Sequence, residues 1–302
     1  MNVDHQLLTA LGLAATAVVY LFGVDRLWST PFGERVVPLR AFACFLAAEL
    51  TIALATTGPG DRLADRSLAG HMVQHLLLLA VASPLLALSE PVPAFAWALP
   101  VARRRRAMAW WGRLRRELGG PRWPQWLAIT LLAQVATMVA WHLSGPYDAA
   151  VRVQWLHALE HLCFVVTATA FWWVALRARG RARRGPAVIA IFLSSLAAIG
   201  LGAAFLVSPT PLYPLYARRD GAGAIADQQL AGVVMWAYGG VAALAVGLGS
   251  FVAWLRSLER AESPSPTSPP LPSSGPSTAP PAGRPSGSGA SLLRSRQMRQ
   301  VR

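Results

Sequence analysis

Lysine does not occur in this 302-residue sequence, cysteine occurs only twice, and charged residues make up 14% of the chain. A soluble domain usually carries about a quarter charged residues. Each scarcity excludes something. Cys44 and Cys163 stand alone inside apolar stretches, so there is no C-x-x-C and neither a thiol-redox motif nor a zinc knuckle. The missing charge is replaced by long apolar runs, 54% of the chain being hydrophobic, which points to an integral membrane protein. The opening MNVDHQLL lacks a basic leader and a small-residue cleavage site, so a retained helix is expected rather than a cleaved signal peptide.

The net charge of +14 has its own logic. All 28 basic residues are arginines, and they sit in short loops and the tail, between apolar runs. That is the pattern of membrane topology and contact with anionic lipid, not of a groove for nucleic acid, and no nucleic-acid partner is expected.

A helix needs about 20 apolar residues to cross a bilayer. Seven segments qualify, near 6–24, 38–57, 68–89, 124–143, 154–176, 186–207 and 228–255, with proline and glycine at their ends. The expected fold is therefore an all-α bundle of seven transmembrane helices, occupying residues 1–257. Loops on one side, together with the tail, hold 23 arginines, and those on the other side hold 5. The positive-inside rule then puts the N-terminus outside and the C-terminus in the cytoplasm, with the plasma membrane as the expected location. The loop RRRRAMAWWGRLRRELGGPRW mixes arginine with Trp110 and Trp111. It reads equally as an interfacial helix on anionic lipid and as a plain topology determinant. Residues 258–302 are rich in Pro, Ser and Gly, a composition that cannot bury a core, and a disordered cytoplasmic tail is expected there.

That orientation sorts the histidines by depth. His71 and His75 open the third span, His142 closes the fourth, and His157 and His161 open the fifth, while His5 lies on the N-terminal flank. All belong to the outer half. Residues four apart on a helix stand about 40° apart around the axis and about 6 Å along it. Both His71/His75 and His157/His161 have that spacing, and Glu160 shares the face of the second pair. Polar groups in lipid are expensive and tend to face the bundle and mark function. Met138 lies one turn deeper than His142, and Met235 enters from the seventh span at a similar depth. Imidazole with thioether suits copper, although a lone methionine usually fills a core. Glu49 in the second span is either a proton or metal partner or a buried hydrogen-bonding group. Asp227 and Gln228 open the seventh span and fit helix capping as well as a site.

Three other chemistries fit part of this pattern. His157-Ala-Leu-Glu160-His161 matches H-x-x-E-H, an inverted zinc-protease motif, but leaves His71, His75 and His142 without a role. Haem held by two histidines needs ligands from opposed helices around a flat cavity, which the third and fifth spans could offer, but i,i+4 pairs fit a single haem less well than they fit a compact ion. Transport is a further alternative, although no inverted repeat is evident and the polar residues sit near one face rather than at the midplane.

Three segments, HMVQHLLLLAVASPLLALSEP, WHLSGPYDAAVRVQWLHALEHLCFVVTATAFWW and DQQLAGVVMW, resemble the signature segments of the multi-pass CtaG family of cytochrome c oxidase assembly factors. The likeness covers roughly residues 40–245. It implies a membrane protein without a reaction of its own, acting with cytochrome c oxidase subunits in maturing a copper centre. It implies further that His71, His75, His142, His157 and His161 are the motif histidines, with Asp227, Gln228, Met235 and Trp236 in the last motif. The expectation is copper held near the outer face by His71, His75, His157 and His161, with His142 completing or gating the site. Glu160 would orient an imidazole, and Met138 and Met235 would help hold Cu(I). Copper transport stays the second reading.

Overall fold

The computed structural model describes residues 3–178 and 180–262, and every regular element among them is helical. Twelve helices carry the account: α1 (Val3–Trp28), α2 (Leu39–Thr56), α3 (Gly58–Arg66), α4 (Leu68–Ser89), α5 (Val92–Ala98), α6 (Val101–Gly119), α7 (Trp123–His142), α8 (Ser144–Arg152), α9 (Gln154–Leu176), α10 (Arg181–Val207), α11 (Pro214–Asp220) and α12 (Ala224–Glu262). The chain divides into a unit Met1–Leu255 and a second unit Arg256–Arg302, whose described part, 256–262, is helical. The rest of the expected tail, 263–302, lies outside the described residues.

Six helices among the described residues are long and apolar enough to cross a membrane: α1, α2, α4, α7, α9 and α10. The 39-residue α12 follows them. Their flanks expose runs of large apolar side chains, such as Leu7, Leu8 and Leu11 on α1 and Ile189, Phe192 and Leu193 on α10. A water-soluble surface does not carry such bands, whereas the hydrocarbon of a bilayer covers them. The chain is a multi-pass membrane protein.

Proline places several of the helix starts. Pro38, Pro59, Pro93 and Pro124 each stand before or within a first turn, where a missing N–H costs nothing. Pro186 departs from the expected pattern. It was expected to open its span, yet α10 begins at Arg181 and carries Pro186 inside.

Burial identifies the central helices. Half of the apolar spanning stretch of α4 is buried, against only 17% of that of α1. α4 packs between α2 and α9, and α9 in turn packs on α7, α8 and α10. Gly202 of α10 and Gly232 of α12 let their backbones touch: a Cβ on either would meet the other's carbonyl oxygen at 2.7 Å. Small residues are how membrane helices approach this closely.

The ends of the bundle differ in chemistry. At one end Glu90 closes α4 in the left-handed region (φ 44°) and its carboxylate takes Arg115 of α6 and Arg177 beyond α9. Arg177 also lies over the Trp173 ring at 3.9 Å. The segment with Trp110 and Trp111 is a helix, α6, with Trp111 buried against Trp173 and Trp110 exposed. At the other end the short helices α3, α8 and α11 roof the ends of the spanning helices.

Candidate metal centre

The site is built on the first two turns of α4 and the first two turns of α9. Helix N-termini leave their first N–H groups without intrahelical partners. In α4 they are met from two directions. Ser67 Oγ accepts from Gly70 N at 2.9 Å, as an ordinary N-cap does. Asp227, at the start of α12, accepts from Leu68 N at 2.6 Å and Ala69 N at 3.2 Å. Asp227 therefore caps a helix about 160 residues away in sequence rather than its own. Because α4 carries two of the histidines just inside that cap, Asp227→Ala is expected to cost about 0.5–2 kcal/mol of stability and to loosen the site as well. Asp227→Asn, which keeps an acceptor, should cost less. The thermal midpoint of the detergent-solubilised protein reads both.

Two turns into the span the helix widens. Leu77–Ala82 forms a π turn, Pro84 supplies no N–H, and Ser83 Oγ donates to Leu78 O at 2.7 Å. A π turn inside an α-helix often marks a functional site. Here it begins two residues after His75.

Across from α4, α9 presents the second pair. His71, His75, His157, Glu160 and His161 each offer one ligand atom, and those atoms all lie within 4.8 Å of one another. The rings interleave: centroids are 4.4 Å apart for His71/His75, 4.9 Å for His71/His157 and 4.2 Å for His157/His161. His71 Nε2 and His75 Nε2 lie 2.9 Å apart. Glu160 Oε1 is 3.6 Å from His75 Nε2.

Burial makes the arrangement chemically odd. Glu160 is 0% exposed, and His71 and His75 are each 2% exposed. Neither oxygen of Glu160 has a hydrogen-bond partner among the described residues, nor has His75 Nδ1. Buried polar groups are nearly always paired, so such a group asks for an explanation. Imidazole nitrogens with one carboxylate, all within reach of a common point, are a donor set for a transition-metal ion. The residues present fit a metal.

The other expected residues are placed around this core, not in it. His142 lies beside it, 5.4 Å from His75 between ring centroids, with Nδ1 bonded to Met138 O at 2.7 Å and Nε2 without a partner. Met138 joins Leu79, Phe164, Ala168 and Ala198 in an apolar cluster, whose Phe164 ring lies 4.8 Å from His75. Met235 packs with Met72, Tyr147 and Phe205. Gln228 ties a loop, accepting from Leu212 N at 2.6 Å and donating to Phe205 O at 3.2 Å. Glu49 accepts from Thr16 at 3.1 Å, bridging α1 and α2. Trp236 is exposed. The side chain of His5 lies outside the described residues.

Sequence reasoning missed the roof. Tyr147 of α8 lies 5.0 Å from His71 between ring centroids, and its hydroxyl meets that of Tyr216 at 3.3 Å. Tyr213 donates to His142 O at 2.8 Å. Arg219 donates to the carbonyls of Asp65 at 2.8 Å and Arg66 at 2.6 Å, fastening α11 to the end of α3. A signal existed: three of the chain's five tyrosines lie in these two loops. Burial pushes the Tyr216 phenol up to about 12, and Tyr147 and Tyr213 rise as well, again chiefly through burial. An unfolded tyrosine titrates near 10. The folded state thus resists ionisation that the unfolded state accepts, and stability is intact below pH 10 and falls as pH rises through the window from 10 to about 12. Alkaline unfolding followed by tyrosinate absorbance should show this limb, and Tyr216→Phe should make it shallower.

A family model described as "Cytochrome c oxidase caa3 assembly factor" matches residues 18–257. That stretch contains the whole histidine–glutamate cluster and its roof. No curated protein and no solved structure matches the chain.

Proposed function

The chain belongs to the cytochrome c oxidase caa3 assembly factor family, and we propose that it holds copper as cargo on the extracytoplasmic side of the plasma membrane during oxidase maturation. One observation carries the reading: a fully buried carboxylate with two unpartnered oxygens stands amid four histidines whose ligand atoms already converge. His71, His75, His157 and His161 would bind the ion, and Glu160 would orient an imidazole or complete the ligand set. His142 is close enough to exchange with a ligand during handover.

The family makes cytochrome c oxidase the partner. In this reading α12 is the seventh span, the arginine-bearing end faces the cytoplasm and its anionic lipids, and the N-terminus lies outside. The protein carries out no reaction of its own.

The geometry disfavours the competing chemistries. Histidine rings in mutual contact leave no slot between them for a planar macrocycle, so haem would have to force them apart. A zinc protease needs an open metal position and a base facing substrate, whereas Glu160 is fully enclosed. Through-transport needs a way inward, and the apolar cluster of Leu79, Met138, Phe164, Ala168 and Ala198 floors the site.

Metal analysis and an absorption spectrum of the purified full-length protein test the reading. Stoichiometric copper supports it; a haem Soret band or a protein that stays metal-free after copper loading sinks it. In cells lacking the protein, oxidase activity should fall at normal cellular copper. Full restoration by added copper would point instead to bulk import.

A further inference from the structure

A cleft of about 280 Å³ opens beside the histidines, lined by Ala64 and Asp65 at the end of α3, Val151 and Arg152 of α8, Gln154 and His157 of α9, and His71 of α4. Its wall grades from exposed to buried. Asp65 and Arg152 are exposed, Gln154 is half-buried, His157 is 9% exposed and His71 2%. Gln154 Nε2 has no hydrogen-bond partner among the described residues. His75 and Glu160, the deeper members of the cluster, take no part in the lining.

We propose that this cleft is the port through which the cation reaches and leaves the histidine cluster, a proposal that rests on reading the cluster as a copper site. Asp65 supplies the negative charge that draws a cation to the mouth. Arg152, which also lines the cleft, is paired with Asp148, 3.5 Å away on the preceding turn of α8, so its charge is partly offset. Gln154 stands midway, with a carbonyl oxygen to offer a partly dehydrated ion. His157 and then His71 receive it. The wall bearing Asp65 is fixed in place by Arg219 through the carbonyls of Asp65 and Arg66. The port opens on the roofed end of the bundle, the end at which an oxidase partner would collect its cargo.

Two readouts on the full-length protein in detergent test this, one of which needs no metal. Diethyl pyrocarbonate acylates accessible histidines, and mass spectrometry of the metal-free protein should find His157 and His71 labelled before His75 and His142. Filling the cleft with Gln154→Trp should slow that labelling. It should also slow removal of bound Cu(I) by a chromophoric chelator about tenfold or more, with copper stoichiometry unchanged because every ligand remains. Should the bulky variant fail to fold, Asp65→Asn serves: copper uptake at low salt should slow by up to about tenfold and lose its salt dependence, as expected for a steering charge. Labelling of His75 or His142 first, or wild-type rates in both variants, overturns the port. A wild-type protein that takes up no copper yet keeps the labelling order overturns the copper reading and leaves the cleft as the route to the histidines.

Discussion

Protein carrying His71→Ala together with His75→Ala should retain less than about one hundredth of the wild-type copper affinity, while His142→Ala should lose at most about 10–100-fold. The contrast comes from geometry. His71 and His75 supply two of the converging ligand atoms, so their loss removes donors and leaves the ion on one helix. His142 stands outside that set and is already committed through Nδ1 to the Met138 carbonyl. Residues that orient a ligand without binding the metal typically cost 10–100-fold when removed, and that sets the ceiling for His142. Competitive titration against a Cu(I) chelator measures all three proteins. Oxidase activity in cells complemented with each variant should follow the same order. Copper retained in the double variant would falsify the ligand assignment, and a large loss confined to His142→Ala would move the site away from the α4 and α9 histidines to the end of α7.

Parts of this centre were legible in the sequence for a simple physical reason. Hydrocarbon admits few polar residues, so two histidine pairs at i,i+4 spacing in apolar spans stand out, and the helix repeat alone puts each pair on one face. Glu160 is legible for the same reason, being on the same face as His157. What the sequence cannot display is contact made across helices. Asp227 fitted either a cap of the helix it begins or a place in the site, yet it caps α4, because the two helix starts meet at the same end of the bundle. Gln228 and Glu49 likewise found hydrogen-bond partners outside the site. The methionines went to packing, Met138 in the floor and Met235 beneath the roof. A thioether on an apolar helix face has no period of its own to tell a ligand from filler. The π turn after His75 was signalled only by Ser83-Pro84 in mid-span, a weak cue because membrane helices tolerate proline. Length and hydropathy gave six of the seven expected spanning helices among the described residues, but not their caps or their short roofing neighbours.

The roof and the floor together explain why so polar a cluster survives in a membrane protein. Tyr147 and the α8 and α11 helices cover it on one side, and Phe164 with its apolar neighbours closes it on the other. At Glu160 and His75, which take no part in lining the cleft, each unpaired group is felt strongly, because it is enclosed in surroundings of low polarity. An ion that satisfies the cluster therefore binds tightly, and a metal-free cluster weakens the fold that holds it.

That reasoning makes Glu160→Met the sharpest test of the centre, since it predicts opposite signs for two measurements on one protein. An unsatisfied buried polar group costs about 1–3 kcal/mol, and Glu160 has two unpartnered oxygens at 0% exposure. Methionine is unbranched like glutamate and carries no group to desolvate. The metal-free variant should therefore unfold at a higher temperature than metal-free wild type, by the equivalent of about 1–3 kcal/mol. Its response to copper should shrink instead. A ligand at a hundred times its dissociation constant stabilises the folded state by about 2.7 kcal/mol, so a site weakened tenfold loses about half of that gain and one weakened a hundredfold loses most of it. Differential scanning of both proteins with and without copper gives all four midpoints. If Glu160 were a structural partner of His75 at 3.6 Å, its removal would strand the imidazole, and metal-free Glu160→Met would be the less stable protein. A lower metal-free midpoint would thus reject the metal role and leave a buried His–Glu contact, whereas a raised midpoint with a lost copper response would identify stability given up for binding.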